Sequence, residues 1–335
     1  MGMNSSVMIQ MTAESLLNSP KKCALVELGL IEVRGEEASK FLQNLVTSDV
    51  RLIHPGQGQF SSWCDAKGRI QATFWLIPFD DALYLILPRT MVLGVLSRLR
   101  MFVLRSRVTL RDASGDMKLL GFIGRPEFPS EANSFVFPEI PCMVSSFSGG
   151  ALMALPGSGV PRFLVLGPAD QIDRISEKLL EALPQASSCT WSLFDIAAGI
   201  PTIGEATAGD FIPQMLDLES LGALSFTKGC YPGQEVVARL QYRGQLKRKL
   251  YRAVIETPEI PAPGTPLASP LTEESVGQVL ASVRLDDSLI LVQAVVVIER
   301  KDSADIYLGS ASGPVLYFEP DWLPFDNSKE TSHVH

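Results

Sequence analysis

Histidine is almost missing from this chain. There are three in 335 residues, and two of them, His333 and His335, stand in the last three positions. Only His54 lies where a fold could use it, which argues against a multi-histidine metal site or a serine–histidine relay. Cysteine offers no close pair either. Cys23, Cys64, Cys142, Cys189 and Cys230 are odd in number, widely spaced and without a CxxC. A disulfide framework and a zinc or iron–sulfur site built from one chain are therefore not expected. No long apolar run is present: the longest, Leu289 to Ile298, has ten residues including one Gln, against the roughly 18 needed to span a bilayer. The opening MGMNSSVMIQMTAESLLNSP has no basic block followed by an apolar one, so residues 1–20 read as a frayed N-terminus and the expected location is cytoplasmic, with no membrane partner. P-loop, GxGxxG, GxSxG and HExxH patterns are all absent. Excess positive charge is lacking too. The net charge of −8 is the wrong sign for a chain that grips nucleic acid with its whole surface.

What is present is an ordinary globular composition, 46% apolar and 20% charged, long enough for two or three domains. A strand is expected at 24–34. A short amphipathic helix follows at 36–46, with Ala38, Phe41, Leu42 and Leu45 at helical spacing. Strands at 59–64, 69–79 and 82–87 come next, with a turn at 65–68 and a hairpin turn at Asp80–Asp81. A helix over 89–104 and a strand at 107–111 complete an α+β unit of ferredoxin-like order, assigned to 21–112. A weaker second copy, assigned to 113–189, rests on strands at 118–123 and 162–166 and a helix at 169–182. Residues 190–245 read as mainly helical with Pro/Gly punctuation. From 246 to 325 the texture is that of a small β-barrel. The tail 326–335 is polar and expected to be disordered.

The richest segment is Phe226–Arg252, FTKGCYPGQEVVARLQYRGQLKRKLYR. Pro232 suits the first position of a helix and Gly244 the position just past its end. Cys230 then sits before a helix N-terminus with Lys228 two residues away. Helix dipole and ammonium would both favour the thiolate. Most cysteines are simply small buried hydrophobes. Gly229 and Gly233, which let another molecule come close, tilt Cys230 toward a reactive thiol. Arg239, Arg243, Lys247, Arg248, Lys249 and Arg252, with Tyr242 and Tyr251 among them, are either a grip for phosphates or a solvated face.

KGCYPGQE (228–235) followed by VVAR resembles the signature of the YgfZ-type folate-binding proteins, relatives of the glycine-cleavage T-protein. FLQNLVTSDV (41–50), CDAKGRI (64–70) and the run from Trp191 to Tyr231 fall in the same family order. The resemblance covers nearly the whole chain. It implies an aminomethyltransferase-like α+β fold, with two intertwined ferredoxin-like parts and a C-terminal β-barrel in a ring around a folate site. The implied cofactor is tetrahydrofolate or a derivative. The implied role is the maintenance of iron–sulfur enzymes, including those that thiolate tRNA. The implied partners are iron–sulfur enzymes or assembly proteins, with tRNA reached indirectly or weakly. Cys230 and Lys228 match the family cysteine and lysine. Trp191 matches a tryptophan at the folate site, where it would stack on the pterin. Leu28 falls where a relative places an aromatic.

Two departures stand out. The T-protein's catalytic Asp follows the hairpin matched by GRI (68–70), where this chain has Gln71, Ala72 and Thr73. Its pterin-binding Glu matches Ala197. Asp195 is two residues away, turned by roughly 200° along a helix, and is not expected to substitute. The leading expectation is thus a folate-binding accessory protein working through Cys230. A folate-dependent one-carbon transferase and a direct tRNA-binding module are the alternatives.

Overall fold

The computed structural model describes residues 19–127, 135–157, 159–179, 183–302 and 305–318. The expected frayed start up to residue 18 and the tail after Asp326 lie outside them.

The strand expected at 24–34 is two strands. The Leu28 N–H donates back to the Leu25 carbonyl, and this tight turn ends β1 (Lys21–Ala24) before β2 (Leu28–Arg34) begins. The break matters because the two strands enter different sheets. β2 joins β3 (Gln59–Cys64), β4 (Ile70–Phe79), β5 (Ala82–Pro88) and β6 (Thr109–Asp112) in an antiparallel sheet of order β3-β4-β5-β2-β6. Helices α1 (Ala38–Gln43) and α2 (Val92–Arg100) supply its crossovers. Without β3 the order is that of a ferredoxin-like unit. Asp80 and Asp81, with φ of 48° and 55°, form the β4–β5 turn, a left-handed pair that suits the twist of a two-residue hairpin.

The second sheet contains β7 (Met117–Ile123), β8 (Val144–Phe147), β9 (Gly150–Leu155), β10 (Arg162–Pro168) and β11 (Gln185–Ala186), with α3 (Ala169–Leu179) leading into β11. Its order is β11-β1-β7-β10-β9-β8. β1 therefore lies between β7 and β11, so a strand from before the first unit completes the second. This is how the two units intertwine.

The stretch expected to be mainly helical is largely irregular. It has α4 (Ser188–Ala197), α5 (Gln234–Arg243) and two short 3-10 turns between them. Prolines and glycines from Gly199 to Gly233 leave no run long enough for another helix. The C-terminal strands β12 (Arg248–Glu256), β13 (Pro266–Ser269), β14 (Thr272–Arg284), β15 (Leu289–Val297), β16 (Tyr307–Leu308) and β17 (Leu316–Phe318) form a curled sheet of order β16-β13-β14-β15-β12-β17. Its two edges meet where the Leu316 N–H donates to the Ile306 carbonyl and Tyr307 bridges Val315.

The largest core joins all three sheets. Cys23, Leu30, Trp75, Leu164, Trp191, Val237, Leu280 and Val295 belong to one buried cluster. Each fully buried Leu or Val contributes about 1.5–3 kcal/mol, so the C-terminal sheet is part of the core rather than an appendage. No helix among the described residues is long and apolar enough to cross a membrane.

Candidate functional site

A cavity of about 510 Å3 opens where the three sheets converge. Its walls come from the β1–β2 turn (Leu25, Leu28), the end of β5 (Pro88), α4 (Trp191, Asp195, Ile196), the loop after it (Ile200, Thr202), the β12–β13 connection (Ile260–Pro263) and β14 (Leu280–Ser282). The size and the mostly apolar lining suit a small organic ligand. A second, small pocket of about 30 Å3 shares Leu28, Trp191 and Asp195 with it and is lined on its far side by Phe60, Thr73, Trp75 and Leu164. Two sequence-expected residues, Leu28 and Trp191, stand in the wall. Lys228 and Cys230 do not.

Trp191 is deeply set, only 5% exposed. A Cβ on Gly121 of β7 would lie 2.3 Å from its Cζ3 atom, so the ring rests directly on that glycine. Above the ring, at 4.9 Å, lies the guanidinium of Arg162, a fully buried side chain at the start of β10. Arg162 Nη1 donates to Asp195 Oδ1 at 2.7 Å. Burial pushes the Asp195 carboxyl up, and the charge and hydrogen bond of Arg162 offset only part of that rise.

Along the helix Asp195 points away from Ala197. The cavity lies on its side of the helix, not on that of Ala197. Four residues turn a helix by about 40° past a full turn, so Trp191 and Asp195 share a face. That i,i+4 spacing was a readable signal. Arg162 had none, since its contact with Asp195 spans 33 residues. Ala197 is buried outside the cavity lining, and its carbonyl accepts from Arg252 Nη1 at 2.9 Å.

The motif that carries Lys228 and Cys230 meets the β3–β4 hairpin at Gly233 instead. A Cβ on Gly233 would be 2.5 Å from the Asp65 carbonyl and from Gly68, and Gly233 has φ of 80°. Close approach and left-handed backbone both require glycine here. Helix α5 starts at Gln234, not at Pro232, so Cys230 precedes it by four residues. Lys228 Nζ turns inward and donates to the Val46 and Ser48 carbonyls at 2.6 and 2.8 Å, with the Tyr231 ring at 5.3 Å. Burial is the main cause that lowers its pKa to about 8. The ammonium expected beside the thiol is thus committed to the backbone of residues 46–48. Cys230 itself is exposed, and nothing stands within 4 Å of a Cβ built on the neighbouring Gly229.

The basic run divides in two. Lys249 pairs with Asp217, Arg248 donates to the Ser275 carbonyl, and Arg252 holds α4. Arg239, Arg243 and Lys247 are exposed, with the 73%-exposed Tyr242 beside them.

Curated relatives settle the affiliation. The tRNA-modifying protein YgfZ of Colwellia psychrerythraea is 34% identical over 279 residues, which cover 81% of this chain and 83% of that protein. The Yersinia pestis protein of the same name is 33% identical over the same shares, and that of Cronobacter sakazakii is 31% identical over 90% and 92%. The chain belongs to the YgfZ family. No protein-family model matches it. Among solved structures, the glycine cleavage system aminomethyltransferase T of Bartonella henselae superposes on it with a TM-score of 0.70, covering 94% of this chain and 89% of that one at 14% identity. This is likeness of fold. Within this YgfZ-family chain, β4 turns Thr73 toward the small pocket and packs Ala72 into the opposite core. The Thr73 hydroxyl donates to the Pro201 carbonyl and accepts from the Ile203 N–H. Gln71 bonds Asp65 and Arg98. No carboxylate from this strand faces the cavity.

Proposed function

We propose that this chain is a folate-binding accessory protein of tRNA modification, with tetrahydrofolate or a derivative in the cavity beside Trp191 and Leu28. The observation that carries the reading is that cavity: about 510 Å3, mostly apolar, with one carboxylate at depth. A flat heteroaromatic ring matches such a space, with its polar edge toward Asp195 and its faces against Leu28 and Ile196. The exposed Cys230 is the reacting group. It serves iron–sulfur enzymes that modify tRNA and meets them at the surface, since a lone thiol cannot hold a cluster alone. Lys228 fixes the loop that carries it. Aminomethyl transfer is the weaker reading, because Gln71, Ala72 and Thr73 supply no carboxylate and the Thr73 hydroxyl is already bonded.

Calorimetric titration with 5-formyltetrahydrofolate tests the ligand. One-to-one saturable binding is expected, and it should be lost in Leu28→Glu, which puts a charge into the apolar wall. Failure of the wild-type chain to bind any reduced folate overturns the reading. Full rescue of an iron–sulfur tRNA-thiolating enzyme in cells by Cys230→Ser overturns the part assigned to the thiol.

A further inference from the structure

Trp191 is not a free stacking platform. Gly121 supports it and the Arg162 guanidinium lies over it, so the ring serves as the base on which an ion pair is mounted. The pair is used on one side only. Asp195 Oδ1 accepts from Arg162, while Oδ2 has no hydrogen bond among the described residues, and the side chain keeps 21% exposure at the cavity wall. A carboxylate has about four acceptor positions, so most of its capacity faces the cavity. The described residues lining that space include Glu27 at the exposed rim and Asp195 at depth, and no Lys, Arg or His. The buried part of any ligand must therefore present donors rather than an anion.

We propose that Asp195 selects the ligand: steadied by Arg162, its carboxylate accepts the adjacent N–H and NH2 of a 2-amino-4-oxopyrimidine edge. Two parallel bonds to a charged acceptor are strong and directional. A ligand without the amino group leaves buried acceptor capacity unmatched, and sites built on such bonds discriminate sharply. Arg162 is a positioning residue, because its guanidinium holds the Oδ1 oxygen of the carboxylate without lining the cavity. The edge occurs in the pterin of folates and in guanine. Its assignment to a folate rests on the function proposed above; the assignment to Asp195 does not.

The test is calorimetry on the full chain with 5-formyltetrahydrofolate, the same folate with a 2-methyl in place of the 2-amino group, and guanosine. Each is titrated into wild type and into Asp195→Asn. For wild type the 2-methyl analogue is expected to bind at least tenfold more weakly than the parent folate. In Asp195→Asn the parent should weaken at least tenfold and the difference between the two ligands should collapse. Because the ligand comparison is made on wild type, it holds even if the variant folds poorly. Equal binding of both folates to wild type overturns the role of Asp195 and leaves the folate reading intact. Guanosine binding that depends on Asp195, with no folate binding, supports Asp195 and removes the folate. No binding of any of the three overturns both.

Discussion

Replacing Lys228 by Met keeps length and apolar stem but removes the ammonium that joins the Cys230 loop to residues 46–48. Two effects oppose each other. The Val46 and Ser48 carbonyls lose charge-assisted hydrogen bonds, each contributing about 1.5–3 kcal/mol. Against this, the buried charge is no longer carried. Its pKa falls from the ordinary 10.5 to about 8, and at 1.36 kcal/mol per pH unit that is a cost of about 3 kcal/mol while the group is protonated. The variant should thus be about 0–3 kcal/mol less stable at pH 7. The pH dependence is sharper than the offset. Between about pH 8 and 10.5 the unfolded wild-type chain holds a proton that the folded chain has released, so its stability rises with pH there. Relative to Lys228→Met, the wild type should gain about 1 kcal/mol between pH 7 and pH 9. The thiols of buried Cys23 and Cys64 and of half-buried Cys142, pushed up to about 11, 12 and 12, act in the opposite sense above about pH 9. They do so equally in both proteins and cancel in the difference. Urea unfolding at pH 7, 8 and 9 reads it out as the change in midpoint at constant slope. A gap that stays constant or narrows with rising pH would refute the buried, charge-carrying contact.

Two further outcomes follow from the same region. Gly233→Ala forces a left-handed residue and a Cβ into the backbone of the Asp65–Gly68 hairpin; thermal denaturation should show a loss of about 2–4 kcal/mol, and a loss below about 1 kcal/mol would mean the two loops part freely. If the exposed cations on and after α5 touch tRNA directly, then Arg239→Glu, Arg243→Glu and Lys247→Glu together should abolish binding, and the wild-type affinity should fall steeply with salt. Salt-independent or absent binding confines tRNA to an indirect role.

Strand and helix periods were legible because each is a local property. The hairpins around 65–68 and 80–81, the α1 and α2 stripes and the C-terminal strands all stand near their expected places. The break at Leu25–Leu28 was not legible. The mostly apolar run from Ala24 to Val33 looks continuous in sequence, and only pairing partners show that β1 belongs beside β7. The helical reading of 190–245 failed for a related reason: buried Leu, Ile and Phe residues there are held by side-chain contacts and turns rather than by helical hydrogen bonds. Trp191 and Leu28, matched by resemblance, line the cavity, and so does Asp195, which lies on the side of the helix away from Ala197.

The sequence by itself determined the family and most of the element types. It also isolated Lys228–Cys230, because the motif is contiguous. The tertiary structure decided what those residues face. It turned the Lys228 charge onto the Val46 and Ser48 carbonyls, and it brought Arg162 across 33 residues to the Asp195 carboxylate. It also placed the cavity and the thiol loop at separate surfaces. The physical reason is that a charge is satisfied by whatever donor or acceptor the fold brings within about 3 Å, and for Lys228 and Arg162 that partner lies far away along the chain.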